Sequence, residues 1–307
     1  MSTPTGPASG LPVRMPRPRQ SGRHRRPEPV VAPEGAAALV LAVPGTPSSA
    51  TRSLAEEVIS IARSELPGLH ARIGYVDGDG DEYPALASVL ADCAAERIAR
   101  FEQALAAGRE AVAPDGPAAV VVPLLAGPDS ALIRRIRQAV MDSRAPAELT
   151  DVLGPHPLLA EALHVRLSEA GLARADRARL FTVATAADGI VLATVGGEEA
   201  VQAAGITGML LAARLAVPVM AAALDVEGSV ASIADQLKGS GSVQLAVAPY
   251  LVGPEVTEGL LDAAVKEAGC AAAEPLGAYP AIGKLVLSMY MTSLGIAPAA
   301  PQGAQAH

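Results

Sequence analysis

Tryptophan is absent from this chain of 307 residues, and two phenylalanines and five tyrosines are all its other aromatics. Its core must therefore be built from Ala, Val, Leu and Ile, which the 50% apolar content supplies, and the length allows two ordinary domains. Cysteine is limited to Cys93 and Cys270, with no CxxC pair. That excludes a disulfide framework or zinc knuckle and favours a reducing, cytoplasmic setting, with both thiols as small buried hydrophobes. No G-x-G-x-x-G or Walker pattern is present, so nucleotide binding is unsupported, and no His-x-x-Glu-His cluster marks a metal site.

Long apolar runs are scarce too. Ala36–Val43 follows a basic stretch as a secretory leader would, but Glu28 and Glu34 interrupt the approach and the run is one strand long. Gly205–Leu224 is mostly apolar but has Arg214 at its centre and Pro218 beyond. It reads as a helix ending near Leu215, then a buried strand, so no membrane span is expected. The net charge of −8 is uneven: residues 1–30 carry six arginines and one glutamate, net +5, which leaves −13 on the remainder. A body that acidic does not seek nucleic acid.

Residues 1–35 hold eight prolines and no hydrophobic periodicity, and read as a disordered basic tail; 296–307 read as a second loose tail. Between them short apolar runs alternate with amphipathic ones. Ala38–Val43, Ala71–Val76 and Ala118–Leu125 read as buried strands; Ser48–Glu65, Pro84–Ala107 and Leu132–Asp142 read as helices. This is the pattern of βαβ units in a parallel sheet.

The chain also repeats itself. Val121–Asp129 (VVPLLAGPD) matches Val247–Glu255 (VAPYLVGPE) at an offset of 126, with five of nine positions identical. Leu153–Pro157 matches Leu276–Pro280 at an offset of 123, and Val40–Gly45 matches Val191–Gly196 at 151. Two homologous α/β halves follow, 36–172 and 178–295, each a flavodoxin-like parallel sheet flanked by helices. The shrinking offset assigns the first half a longer second helix and loop around Glu96–Pro117. Ligands of open parallel sheets bind beyond the carboxyl ends of the strands. The expected active surface therefore lies between the halves, lined by Pro44–Ser49, Gly127–Ser130, Gly196–Glu199 and Gly253–Glu255.

Within that surface, the turn containing Thr46 and Ser48 could cradle an anion on backbone amides or simply cap a helix through Ser48 or Ser49. Asp129 stands at a strand end. In the helix after it, Ile133, Ile136 and Val140 face inward, while Arg134, Arg135 and Arg137 point out as a solvated basic face or a clamp for a polyacidic ligand. His156, between two prolines and matched in the repeat by Tyr279, suits packing or capping, and His70 suits a surface turn. Tyr75 and Asp77 end the second strand. Asp77, Asp79, Asp81 and Glu82 form half of a calcium-type loop without its distal glutamate and read as a solvated loop.

Over residues 37–291 the chain resembles the sirohydrochlorin cobalto/ferrochelatases in their long, two-domain form. The resemblance rests on VVPLLAGPDS, LGPHPLLAEAL, VLATVGGEEA, VAPYLVGPE and EPLGAYPAIGKLV. It implies two chelatase-like halves, with a divalent metal (cobalt or iron) as substrate and no other cofactor. The metal would enter a tetrapyrrole rich in carboxylates, on a monomer or homodimer. It also implies a histidine pair, one after the first strand and one after the third or fourth, where imidazole would bind metal and accept a pyrrole proton. Pro44 occupies the first place and Asp129 or Ser130 the second; the second half offers Val195 and Glu255. On this resemblance Asp129 with Glu255 would be the catalytic and metal-binding groups, and Arg134, Arg135, Arg137, Thr46 and Ser48 would hold the substrate. The alternative is a non-catalytic relative that binds a tetrapyrrole, a metal or a partner protein.

Overall fold

The structure, a computed structural model, describes residues 31–296 except 34, 111–112, 174–185 and 258. Most of the two expected tails lies outside the described residues. At their inner ends the chain is tied down: Ala32 N–H donates to the Pro67 carbonyl (3.0 Å) and Ile296 packs on the central core.

Strands and helices alternate throughout: β1 (Ala38–Val43), α1 (Ser49–Glu65), β2 (Ala71–Tyr75), α2 (Leu86–Ala106), β3 (Ala119–Pro123), α3 (Ser130–Ser143), β4 (Ala147–Leu149) and α4 (Pro157–Glu169), then β5 (Gly189–Thr194), α5 (Gly197–Leu215), β6 (Val219–Ala223), α6 (Ser229–Gly239), β7 (Leu245–Pro249), α7 (Leu260–Ala268), β8 (Ala271–Ala272) and α8 (Pro280–Ser293). They form two four-stranded parallel sheets of one topology, β2-β1-β3-β4 and β6-β5-β7-β8. The repeat is borne out residue by residue. Val40 pairs with Val121 in the first sheet, and their counterparts Val191 and Val247 pair in the second. The apolar stretch Gly205–Leu224 is the end of α5, a turn, and β6; among the described residues no helix is long and apolar enough to cross a membrane.

Every residue of β1, β3, β5 and β7 is buried, because each of these central strands is covered on both faces. Side chains alternate between two destinations with a period of two. Leu39, Leu41, Val43, Ile190 and Leu192 enter one core shared by both halves, whereas Val40, Ala42, Val191 and Ala193 enter separate outer cores.

The halves are not self-contained. The last helix of each crosses to the other sheet: α4 packs on α5 and β7, and α8 packs on α1 and β3. The exchange is fixed by polar ties. Tyr290 Oη donates to the Ala37 carbonyl (2.7 Å), and Arg166 Nη2 donates to that of Leu276 (2.9 Å). α8 approaches α1 closely at Gly283, where a Cβ would stand 2.5 Å from Ile61 Cγ2 and 3.1 Å from the Val58 carbonyl oxygen.

That contact gives a test of the exchange. Gly283→Ala should cost about 1–3 kcal/mol in denaturant unfolding through overpacking, despite a helix-propensity gain of up to ~1 kcal/mol. Ile61→Ala should recover part of the loss when combined with it. Additive effects of the two substitutions would show that α8 does not rest on α1 at this point.

Candidate functional site

The four strand-end turns expected to line the active surface do meet between the halves, and they meet backbone to backbone. Gly45 (φ 79°) sits so close to the Pro254 carbonyl oxygen that no Cβ fits between them. In the mirrored contact a Cβ on Gly196 (φ 109°) would lie 2.7 Å from the Pro128 carbonyl oxygen and 3.1 Å from Asp129 Cα. The β1 turn thus presses on the β7 turn, and the β5 turn on the β3 turn. Glycine is required at both points by the close approach as well as by the positive φ. The centre of the expected cleft is closed.

Open space lies to one flank. A groove of about 630 Å³ runs between α3, the segment after β4 and the first turns of α5, walled by Pro128, Ile133, Val140, Met141, Leu149 and Ala203. Arg137, Asp151 and Glu199 supply its charged groups. This size and lining, mostly apolar with a few polar groups, suit a small organic ligand.

The candidate residues divide according to what their atoms already do. Ser48 is the N-cap of α1: its Oγ accepts from Thr51 N–H (3.2 Å), and its own N–H donates to Thr51 Oγ1 (2.9 Å). Thr46 is exposed beside it. Asp129 caps α3, with Oδ1 accepting from Ala131 and Leu132 N–H, both at 2.9 Å. The Glu255 carboxylate folds back on its own turn, accepting from Val252 N–H (2.6 Å) and Gly253 N–H (2.7 Å). Burial pushes the Glu255 pKa up to about 7 against the pull of these amides, and Asp129 across the contact adds to the rise. The structure therefore does bring Asp129 and Glu255 together, as acceptors for their own turns.

The three arginines separate. Arg137 lines the groove. Arg135 forms an ion pair with Asp77 at the far side of α3, and Arg134 is exposed between them. Pro44 is buried rather than lying at an edge turn, so a histidine there would need room that the packing does not leave. His156 caps α4, its Nδ1 accepting from Leu158 N–H (3.1 Å), and burial lowers its pKa, which favours the neutral ring. The Nδ1 of His164 accepts from Arg214 Nε (2.9 Å). Half-buried His70 lies 3.9 Å from Glu96 at the opposite edge of the sheet. Among the described residues no three His, Cys, Asp or Glu side chains form a metal-binding group.

Sequence reasoning passed over two residues. Asp225 accepts from Gly196 N–H (3.0 Å) and Gly197 N–H (3.3 Å), holding the β5 turn. It follows β6 by two residues as Asp77 follows β2, so the repeat held the signal. Tyr250, in the place of Leu124, is fully buried at the centre of the interface. Its hydroxyl accepts from Thr207 (3.2 Å), and burial pushes its pKa up to about 12. Gly154 is small because that hydroxyl fills the space a Cβ would take.

Glu255 gives a pH test. Its folded pKa, about 7, lies above the reference of 4.5. A raised carboxyl pKa favours the folded state below pH ~4.5, and that contribution is lost as pH rises to about 7. Glu255→Gln carries a pH-independent cost of about 1–3 kcal/mol, because its amide nitrogen cannot accept from a turn N–H. Unfolding free energies from pH 4 to 8 should therefore fall more steeply for the wild type than for the variant. Parallel profiles would show that Glu255 does not titrate in this window.

No family model matches the chain, and no curated protein matches its sequence. Solved structures do. SirB from Bacillus subtilis with Fe3+ aligns at a TM-score of 0.57 and 15% identity, covering 85% of this chain and 98% of that one. The sirohydrochlorin chelatase SirB from Bacillus subtilis subspecies spizizenii, in complex with cobalt, aligns at 0.52 and 13%, covering 84% and 95%. At these identities the likeness is one of fold, and it spans both sheets and nearly the whole of each chelatase. The chain is a chelatase-like α/β protein, with the two-sheet fold of the sirohydrochlorin chelatases.

Proposed function

We propose that this protein binds a carboxylated tetrapyrrole between its halves and does not insert metal into it. The observation that carries the reading is buried Pro44 at the end of β1, where the resemblance implies a histidine. Insertion of a divalent metal requires a donor that hands over the ion and an acceptor for the two pyrrole protons released. Proline supplies neither, and Asp129 and Glu255 already accept backbone amides. The groove beside Pro128 offers an apolar wall for a macrocycle face and Arg137 for a carboxylate. Arg134 on the same helix and Thr46 at the β1 turn are exposed but lie outside the groove wall.

A second reading, metal insertion by Asp129 and Glu255 with cobalt or iron as substrate, is favoured by one observation. A carboxyl with a pKa of about 7 is a far better proton acceptor at neutral pH than an ordinary carboxylate.

Absorbance titration with sirohydrochlorin, with and without Co2+, separates the two. The binding reading expects a saturable spectral shift, weakened about 10-fold or more by Arg137→Ala, and cobalt insertion at the protein-free rate. Turnover well above that rate, lost in Glu255→Gln, would establish insertion; no spectral shift at all would sink both readings. Placing histidine at both positions, in Pro44→His/Asp129→His, should also lower stability. Loss of the α3 cap alone costs about 0.5–2 kcal/mol, and the buried Pro44 site must accept a larger polar ring.

A further inference from the structure

Helix α5 has two apolar faces, and one of them is uncovered. Ala200, Ala204, Thr207, Gly208 and Leu211 are buried against the body. Opposite them Glu199, Gln202, Ile206, Met209 and Ala213 are all exposed, Ile206 to 47% and Met209 to 67%. Their spacing of three, four, three and four residues is that of the seam along which two α-helices pack. Leu210, 39% exposed, widens the strip, and Met141 on α3, 68% exposed, stands across the groove from it. A connected apolar surface of this kind marks an interaction site.

The first half supplies an internal control. Its buried set Ala55, Val58, Ile59 and Ala62 on α1 corresponds to Ala204, Thr207, Gly208 and Leu211 on α5. In that alignment the five exposed seam positions of α1 are Ala50, Ser53, Glu57, Ser60 and Ser64, a solvated face. The same helix in the same fold is polar outside in one half and apolar outside in the other.

We propose that α5 is a homodimer interface, packed antiparallel on α5 of a second copy about a twofold axis beside Ile206. A twofold contact must be self-complementary, and this face is. With the Ile206 side chains at the axis, Met209 of each copy meets Ala203 of the other, large against small, and Leu210 meets the aliphatic stem of Gln202. The helix ends complement each other as well. Glu198 and Glu199 lie in the first turn and Arg214, which keeps its positive charge while its Nε donates to His164, in the last. An antiparallel crossing therefore brings acid toward that charge at both ends, while a parallel one sets acid against acid. In a chain of net charge −8, an uncharged strip with opposite charges at its two ends is a face that a second copy meets without repulsion. Nineteen residues of helix give a seam about 28 Å long. With Leu210 and Met141 it forms the apolar centre of the ~800 Å² per partner that a stable interface covers. Glu199 belongs to both the seam and the groove, and Ala203 of the groove wall meets Met209 of the second copy, so that copy completes the groove's rim.

The test is independent of any ligand. Sedimentation velocity of the full chain from 1 to 100 µM should give twice the monomer mass of 31.0 kDa. Ile206→Glu, which sets like charges against each other at the axis, and Met209→Glu, which buries a charge against Ala203 of the other copy, should each weaken the dimer by about 100-fold or more. Their far-UV circular dichroism should match the wild type, since both sites are exposed on the monomer. Ser60→Glu, at the equivalent place on α1, should leave the dimer intact. In a Cys270→Ser background, Ile206→Cys should crosslink two copies on oxidation and Ser60→Cys should not. A monomer at every concentration overturns the proposal. So does a dimer that survives either glutamate on α5, or one that fails to crosslink through Ile206→Cys.

Discussion

The inner faces of two parallel sheets must both be covered, and one shared core covers them. Each inner face receives its own first helix and the other half's last helix, so α1 with α8 and α4 with α5 form one central layer. With almost no aromatic side chains to fill gaps, this layer closes through small residues at near contact. Gly283 over Ile61 is the clearest case. The consequence is mechanical. Neither half can open without exposing the Leu, Val and Ile side chains that it shares with the other, and at ~25 cal/mol per Å² of apolar surface that exposure is costly. Hinge opening between the halves is therefore disfavoured, and a ligand must fit the space already present at the flank.

The same constraint sets the chemistry of the strand ends. Pressing four turns together backbone to backbone leaves their amides without strand partners, and an N–H left without an acceptor costs up to about 1–3 kcal/mol where it is buried. The polar residues of the turns provide these acceptors: Ser48 at α1, Asp129 at α3, Asp225 at the β5 turn, Glu255 at the β7 turn and His156 at α4. Glu255 is held by its turn through both oxygens and Asp129 through Oδ1, so a metal ion would have to share these carboxylates with the amides that orient them. That sharing is the physical reason for reading the centre as a binding scaffold.

Much of this was legible in the sequence, and what was not has identifiable causes. The parallel sheets and the repeat could be read because strands buried on both faces are continuous apolar runs, and because the same Gly-containing turns recur after them. The fourth strand of each sheet escaped notice, since β4 has three residues and β8 two, too few for any periodicity. The helix exchange left no trace either. The apolar face of α4 or α8 has the same composition whichever sheet it covers, and only long-range contacts such as Tyr290 to Ala37 reveal the partner. Among the candidate site residues, Asp129 and Glu255 lie near each other across the contact between the turns, but their engagement with backbone amides is a matter of rotamer that spacing does not encode. The arginines of α3 were read as one face. At 100° per residue Arg135 points a quarter turn away from Arg134, far enough to reach Asp77.

The halves repeat where the backbone needs a particular residue and diverge where a side chain meets its surroundings. Gly45 and Gly196 are the same because each has a positive φ and abuts a carbonyl oxygen of the other half. Leu124 and Tyr250 differ, and the tyrosine hydroxyl then requires both Thr207 as donor and Gly154 as the residue that makes room. Asp77 and Asp225 occupy equivalent places, yet one reaches Arg135 and the other the amides of Gly196 and Gly197. The outer faces of α1 and α5 differ most, one polar and one apolar. The first two differences answer to partners inside the chain, whereas those on exposed surface have no such partner among the described residues to explain them. The groove wall at Arg137 and Met141 and the exposed strip of α5 are surfaces of that kind. They adjoin one another at Glu199 and Ala203, so whatever fills the groove lies beside whatever covers the helix.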